Sequence, residues 1–185
     1  MPSTPAKPNR GPSAGPENRR ALVAAARQVF TADGFGAPLS AVAKRAGVGQ
    51  GSLYRHFPDR FSLALAVLEE NVGELEEHAA RPDATLDTLL DVVIDQALVT
   101  SPFVEAILGA GDDPRVTALG TRLDRLAHEL HGRELAAGRI APNVEPDDIL
   151  MAVSMVGATL TRIPASHRAD TAARAKAMFR RSFGR

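Results

Sequence analysis

Apolar residues recur every three or four positions along most of this 185-residue chain, and alternation at every second position never lasts the length of a strand. This spacing is the period of an α-helix. Proline and glycine punctuate it, notably at Gly34, Gly47, Pro58, Pro82 and Pro142. The sequence therefore predicts an all-α fold of about nine helices.

The predicted helices can be bounded from their apolar stripes and their breakers. They cover residues 17–34, 39–46, 50–57, 61–82, 86–97, a separate short piece after Pro102 with Phe103 and Ile107, 116–138, 146–163 and a last helix after Pro164. Gly109 and Gly111 are expected to break the chain after the short piece.

Residues 1–16 have a different composition, with five prolines, two glycines and almost no large apolar side chain. Such a segment cannot bury enough surface to offset the entropy of ordering, so it is predicted to be a disordered arm. Lys7 and Arg10 are its only charged residues. They suit loose contact with phosphates, although a solvated leader is the favoured interpretation.

Three short front helices, with only residues 47–49 between the second and third, predict a helix-turn-helix. Ala43 is small enough for the third helix to pack across the second, and Gly47 relieves the sharp turn. Val48, Leu53 and Phe57 are the expected apolar contacts inward.

If those residues face inward, four others lie on the outer face of the third helix: Gln50, Gly51, Tyr54 and Arg55. Glutamine can bind adenine and arginine can bind guanine through paired hydrogen bonds, while a tyrosine hydroxyl suits a phosphate. The outer face therefore predicts contact with DNA.

Two segments in register, Ala43-Lys44-Arg45-Ala46-Gly47-Val48 and Leu53-Tyr54-Arg55-His56-Phe57, are followed by Asp59-Arg60 at the start of a long helix. This combination resembles the DNA-binding domain of TetR-family transcriptional regulators, over about residues 17–65. The resemblance implies a helix-turn-helix domain at 17–65 and a helical effector-binding and dimerisation domain at 66–185.

The resemblance also implies DNA-binding roles at matching positions. Phosphate contacts are expected from Lys44, Arg45, Tyr54, His56 and Arg60, and contacts with bases or nearby backbone from Gln50, Gly51, Ser52 and Arg55.

Two positions depart from the family pattern. Gly49 stands where a Ser or Thr usually caps the recognition helix, and Pro38 stands where a Thr often precedes the second helix. Ser40 is the expected substitute for the missing hydroxyl contact. Gly49 and Gly51 together suggest a recognition helix that becomes firmer when DNA binds.

The C-terminal helices are expected to dimerise and to hold a small-molecule effector, because the family does so with its last helices and its helical core. The candidate dimerisation residues are Ile149, Val153, Val156, Gly157, Leu160, Ala172, Ala175 and Phe179. The candidate ligand-binding residues are Leu90, Val93, Phe103, Ile107, Leu126, His128, Met151 and Met155. Ordinary core packing is the competing interpretation for each of the latter.

Two polar patterns on the C-terminal helices have ordinary structural interpretations beside a ligand-binding one. His128 and His131 lie three residues apart, but no third ligand is identifiable, so no metal is expected. Asp87, Asp91 and Asp95 form a row at intervals of four. Either basic side chains oppose this row or it faces solvent, and solvent is favoured; a cationic inducer is the less favoured alternative.

The formal charge of zero hides an uneven distribution. Lys plus Arg number 22 and Asp plus Glu number 22, yet residues 1–67 contain nine basic and three acidic side chains, and residues 68–185 contain thirteen and nineteen. The part of the chain expected to touch DNA is therefore basic.

Together with these features, the resemblance to the TetR family implies a cytoplasmic, bacterial, homodimeric DNA-binding regulator, most simply a repressor that leaves a palindromic operator when an effector binds. An effector-independent dimeric DNA-binding protein is the alternative, and an all-α enzyme is a distant third. No Ser/His/Asp arrangement, phosphate-binding loop or cysteine is present, so no catalytic activity and no cofactor are expected. No apolar run approaches the roughly 18 to 20 residues that a membrane span needs.

Overall fold

The computed structural model describes residues 15–108 and 113–184, and every regular element in these ranges is an α-helix. The eight helices are α1 (Gly15–Asp33), α2 (Leu39–Ala46), α3 (Gln50–His56), α4 (Arg60–Ala79), α5 (Leu86–Leu108), α6 (Pro114–Ala136), α7 (Pro146–Arg162) and α8 (Ala165–Phe183). The predicted all-α fold is confirmed.

Helix α1 begins at Gly15, two residues earlier than expected. Pro16 therefore occupies the first turn, where a missing backbone N–H removes no intrahelical hydrogen bond. The rest of the predicted arm, residues 1–14, lies outside the described residues, as do the predicted breaks at Gly109 and Gly111.

Helix α5 runs without interruption from Leu86 to Leu108, so the prediction of a separate piece after Pro102 is wrong. A proline inside a helix costs about 3 kcal/mol, because it removes a backbone hydrogen bond and crowds the preceding turn. Phe103 is fully buried and Ile107 is 4% exposed. Burial of two such side chains contributes about 1.5–3 kcal/mol each, which offsets the cost of the proline.

Packing divides the chain into two compact units, with the division between Leu63 and Ala64. In the N-terminal unit, helices α1, α2 and α3 pack on one another. Its buried core includes Leu22, Ala26, Val29, Phe30, Val42, Ala43, Leu53 and Phe57. The apolar residues of α1 therefore form one of its core faces.

In the C-terminal unit, helix α7 packs against α5, α6 and α8. The core is continuous across these helices and the end of α4. It includes Leu75, Leu86, Leu89, Leu90, Val93, Leu126, Leu130, Ile149, Val156, Leu160, Ala172 and Phe179.

Because α7 is packed on by α5, α6 and α8, most of the residues predicted for dimerisation on α7 and α8 lie in or against the core. Of the residues predicted for dimerisation, five are buried in the core of the C-terminal unit, namely Ile149, Val156, Leu160, Ala172 and Phe179, and Val153 and Ala175 pack partly buried against that core. Gly157 is half-buried. Among the described residues of α7 and α8, the large apolar side chains that are exposed are instead Met151, Met155 and Met178, at 58%, 54% and 44% exposure.

Basic side chains oppose two of the three aspartates in the row on α5. Asp87 accepts a hydrogen bond of 2.7 Å from Nε of Arg180 on α8, and Lys176 pairs with both Asp87 and Asp91. The hydrogen bond from Arg180 holds the pKa of Asp87 below its usual value. Asp95 is exposed. The predicted preference for solvent is therefore wrong for Asp87, whereas Asp91 is both paired and 57% exposed.

Among the described residues, no helix is both long and apolar enough to cross a lipid bilayer.

Candidate nucleic-acid interface

The turn between α2 and α3 depends on Gly47, whose φ is +67°. Residues other than glycine rarely adopt this left-handed backbone conformation. The turn is closed by two backbone hydrogen bonds, from Gly47 N–H to the carbonyl of Lys44 at 3.2 Å and from Val48 N–H to the carbonyl of Ala43 at 3.0 Å. The sharp turn that the sequence predicts is thus present with its expected residue.

Helix α3 is held in place from one side. Leu53 and Phe57 are 1% and 2% exposed, and Ala43 of α2 is 2% exposed. The guanidinium of Arg19 on α1 lies 5.4 Å from the centre of the Phe57 ring, within the range of a cation–π contact. These contacts determine which face of α3 is turned away from the core.

The opposite face of α3 is open to solvent. Gln50, Gly51, Tyr54 and Arg55 are exposed, and Tyr54 has 53% of its surface accessible. Nε of Arg55 donates to the carbonyl of Gly51 at 3.2 Å, one turn earlier in the same helix. Because that bond is exposed, it stabilises the helix little and leaves the other guanidinium N–H groups to bind a partner.

The N-terminus of α3 lacks a side-chain cap, as the sequence predicts. Gly49 has extended backbone angles, and its carbonyl accepts from the N–H groups of Ser52 and Leu53 at 2.9 and 3.0 Å, but it has no side chain to accept from the first turn. Pro38 before α2 likewise provides no side-chain cap. Ser40, in the first turn of α2, is exposed.

The two basic residues at the end of α2 differ in their contacts. Lys44 is exposed. Arg45 is exposed as well, but its Nε donates to Oε1 of Gln28 on α1 at 2.6 Å. Arg45 is thus oriented by α1, and only its remaining N–H groups can reach a phosphate.

Arg60 lies at the start of α4, as predicted, but its guanidinium is turned towards the α1–α2 connection. Its Nη1 donates to the backbone carbonyls of Phe35 and Ala37, in the connection between α1 and α2. Its guanidinium also lies 5.4 Å from the ring centre of Phe30 and 5.5 Å from that of Phe35. The side chain is half-buried and fastens the start of α4 to the α1–α2 connection, so the structure does not place it as an extended phosphate-binding arm.

The remaining candidate DNA-binding residues have intermediate solvent exposure. Ser52 and His56 are half-buried, and the His56 ring lies 6.3 Å from the ring of its neighbour Phe57. Seven of the ten candidate DNA-binding residues are exposed, namely Ser40, Lys44, Arg45, Gln50, Gly51, Tyr54 and Arg55.

The predicted ligand-binding residues are not gathered in one cavity. Leu90, Val93, Phe103, Ile107 and Leu126 are buried, whereas His128, Met151 and Met155 are exposed. His128 Nδ1 lies 2.8 Å from the carbonyl of Asp124, and His131 Nε2 lies 2.7 Å from the carbonyl of Val144. Since each histidine has its own backbone partner, the pair does not converge on a shared ligand.

A cleft that the sequence reasoning missed lies between α4 and α6, with a volume of about 500 Å³. Arg122, Arg125 and Arg133 of α6 line it. In the sequence, these arginines alternate with Leu126 and Leu130 along one predicted helix. The spacing indicates a mixed face, although nothing in it shows that α4 lies opposite.

Comparison with known proteins supports the assignment of the N-terminal unit. The sequence profile described as bacterial regulatory proteins, tetR family, matches residues 22–67. This range contains α2, α3, the turn between them and the start of α4. A comparison with curated protein sequences gives no match.

Solved structures extend the similarity over most of the chain. A TetR transcriptional regulator from Streptomyces coelicolor is 26% identical with a TM-score of 0.70, over 90% of this chain and 98% of that one. The TetR regulatory protein from Mycobacterium vanbaalenii is 26% identical with a TM-score of 0.65, over 80% and 95%. TylP, a TetR regulator from Streptomyces fradiae, is similar in fold at 23% identity and a TM-score of 0.66, over 92% and 88%.

Proposed function

Since the chain belongs to the TetR family of bacterial regulatory proteins and is a DNA-binding transcriptional regulator, we propose that it acts as a homodimeric repressor. In this proposal it binds a palindromic operator and leaves it when a small molecule binds the C-terminal unit. The observation that carries the proposal is the exposed face of α3, with Gln50, Tyr54 and Arg55 opposite the buried Leu53.

The roles proposed for the individual DNA-binding residues follow from their side-chain chemistry. Gln50 and Arg55 read base edges in the major groove, because both side chains form paired hydrogen bonds with single bases. Lys44 and Tyr54 bind phosphates and fix the position of α3. Arg60 holds the α1–α2 connection and is left out of this set.

The DNA proposal is tested by selecting bound duplexes from a random pool with the purified protein. A palindromic site is expected, with half-sites about 34 Å apart, one turn of B-DNA. Arg55→Ala is expected to relax the preference at one base pair per half-site, at a cost of about 1–3 kcal/mol. Arg81→Ala, at a side chain that is 57% exposed and paired with Asp83 in the C-terminal unit, is the matched control.

The proposal fails if no palindromic site emerges from the selection. It also fails if the double variant Tyr54→Ala/Arg55→Ala binds DNA as tightly as the wild type does.

For the homodimer, we assign the interface to the face of α7 and α8 that carries Met151, Met155 and Met178. Three exposed methionines on two adjacent helices support an interaction surface, because soluble proteins seldom leave large apolar side chains clustered in water. Methionine also adapts readily to a facing surface. A two-fold dimer matches the symmetry of a palindromic site.

Light scattering after size-exclusion chromatography tests this assignment. Met155→Glu is expected to give monomers and to weaken operator binding. Leu135→Glu, at an exposed apolar residue of α6, is the matched control and is expected to stay dimeric. If Met155→Glu remains dimeric, this face is not the interface.

Release by an effector is supported by the cleft between α4 and α6, whose volume lies in the range of small-molecule sites. Effector and operator must weaken each other's binding by the same factor. If no bound small molecule lowers operator affinity, the effector-independent dimeric DNA-binding protein replaces the repressor with an effector.

A further inference from the structure

The cleft between α4 and α6 has a mixed lining of charged and apolar side chains. Arg122, Arg125 and Arg133 face it from α6, and Leu126 and Leu130 form its apolar wall. Both leucines are buried, at 7% and 1% exposure. A ligand in this cleft would therefore meet guanidinium groups and hydrocarbon at once.

One of the three arginines is already neutralised. Arg122 forms two hydrogen bonds with the carboxylate of Glu76 on α4, at 3.0 and 2.7 Å. The hydrogen bond from Arg122 lowers the pKa of Glu76 against the opposing effect of desolvation, so this carboxylate stays ionised. The pair joins the two helices at one side of the cleft.

The other two arginines are less well satisfied. Arg125 reaches Glu76 only at 3.4 Å, and its side chain is 63% exposed. Arg133 donates from Nη1 to the carbonyl of Ala79, the last residue of α4, at 2.7 Å. Its Nε, however, is buried and has no hydrogen-bond partner among the described residues. A buried N–H group of a charged side chain without an acceptor is rare in native proteins.

The charges that line the cleft leave an excess of one positive charge. Three arginines face two carboxylates, those of Glu76 and Glu129. A single negative charge completes the balance. A dianion such as phosphate would be repelled by the two glutamates and would leave the wall of Leu126 and Leu130 without a partner.

We propose that the α4–α6 cleft binds a small organic monocarboxylate. Its carboxylate accepts hydrogen bonds from the guanidinium groups of Arg133 and Arg125, and its hydrocarbon body packs on Leu126 and Leu130. Guanidinium groups suit a carboxylate because their N–H groups match its two oxygens. This proposal does not depend on the proposed repressor function, because ligand binding is measured in the absence of DNA.

Isothermal titration of the full chain with benzoate and hexanoate tests the proposal, with benzamide and hexanamide as neutral counterparts and sulfate as an inorganic anion. At least one carboxylate is expected to bind at least about tenfold more tightly than its amide and than sulfate, which is the effect of one charge-assisted hydrogen bond in a partly buried site. The proposal is overturned if neither carboxylate binds more tightly than its amide, or if sulfate binds as tightly as either of them.

Variants then locate the site. Arg133→Met is expected to weaken carboxylate binding at least about tenfold. Arg115→Met, about 27 Å from Arg133 along the same helix, is the control and is expected to bind as the wild type does. Wild-type affinity in Arg133→Met overturns the proposal.

A second variant keeps the test decisive if the loss of the bond to Ala79 unfolds Arg133→Met. Arg125→Gln changes an exposed side chain and is expected to fold normally. It is expected to weaken the carboxylate but not its amide. Equal binding of the carboxylate by Arg125→Gln and the wild type places the ligand elsewhere and overturns the proposal.

Discussion

Replacing Arg60 by alanine is expected to destabilise the N-terminal unit and to leave the number of phosphate contacts unchanged. The side chain donates to the carbonyls of Phe35 and Ala37 and lies over the rings of Phe30 and Phe35. Hydrogen bonds from a charged donor contribute about 1.5–3 kcal/mol each, and cation–π contacts about 0.5–1 kcal/mol each. Because one half-buried side chain makes all four contacts, they are not additive, and we expect a loss of about 2–3 kcal/mol.

Urea denaturation followed by tyrosine fluorescence measures this loss selectively. Tyr54 is the only tyrosine, the chain has no tryptophan, and α3 belongs to the N-terminal unit, so the signal reports on that unit. Arg60→Lys is expected to lose about half as much, since a lysine ammonium lacks the planar fork that reaches two carbonyls.

The salt dependence of DNA binding separates this interpretation from a phosphate contact. Loss of one phosphate contact lowers the magnitude of the slope of log K against log salt by about 0.9, so a substitution that removes one contact from each subunit of the proposed homodimer lowers it by about 1.8. Lys44→Ala is expected to show that decrease with little change in stability, and Arg60→Ala the reverse. A normal urea midpoint together with a decreased slope in Arg60→Ala would refute the role assigned to this side chain.

Three further predictions concern the turn, the core and the α5–α8 contact. Gly47→Ala is expected to lower the free energy of unfolding by about 1 kcal/mol, because φ at this position is +67°; urea denaturation that shows no loss would contradict this. Asn71→Leu is expected to raise the thermal midpoint by an amount equivalent to about 1 kcal/mol, because Oδ1 of this 5% exposed residue has no hydrogen-bond partner among the described residues; a lower midpoint would count against the idea. Asp87→Asn is expected to lose about 1 kcal/mol or less at pH 7, given the partial exposure of the pair. Since Arg180 lowers the pKa of Asp87 in the folded state, the difference from the wild type is present above the ordinary aspartate pKa and disappears as the pH falls through the lowered value, which denaturation at a series of pH values measures.

The helix-turn-helix was predictable because its determinants are local. A glycine with positive φ, a small residue beneath the turn and two inward apolar residues lie within residues 43–57, and each acts on its near neighbours. The bounds predicted for α2 agree with the structure. The exposure of Gln50, Tyr54 and Arg55 follows from the burial of Leu53 and Phe57 one helical face away.

Arg60 shows where such local reasoning fails. Its partners, Phe35 and Ala37, lie more than twenty residues earlier in the chain. A basic residue at the start of a helix has the same local pattern whether it extends into solvent or folds back over aromatic rings. Only the packing of α1 and α2 beside it decides between the two.

The periodicity of the sequence by itself determined the helices other than the uninterrupted α5, because the free energy of an amphipathic helix depends on residues three and four positions apart. Periodicity could not determine which face of α7 is internal, because this helix is apolar on more than one side. The tertiary structure places Ile149, Val156 and Leu160 inside the C-terminal unit and leaves Met151 and Met155 exposed, since α5, α6 and α8 all pack on the former side. The charged α4–α6 cleft likewise exists only because two helices distant in sequence place Glu76 opposite Arg122.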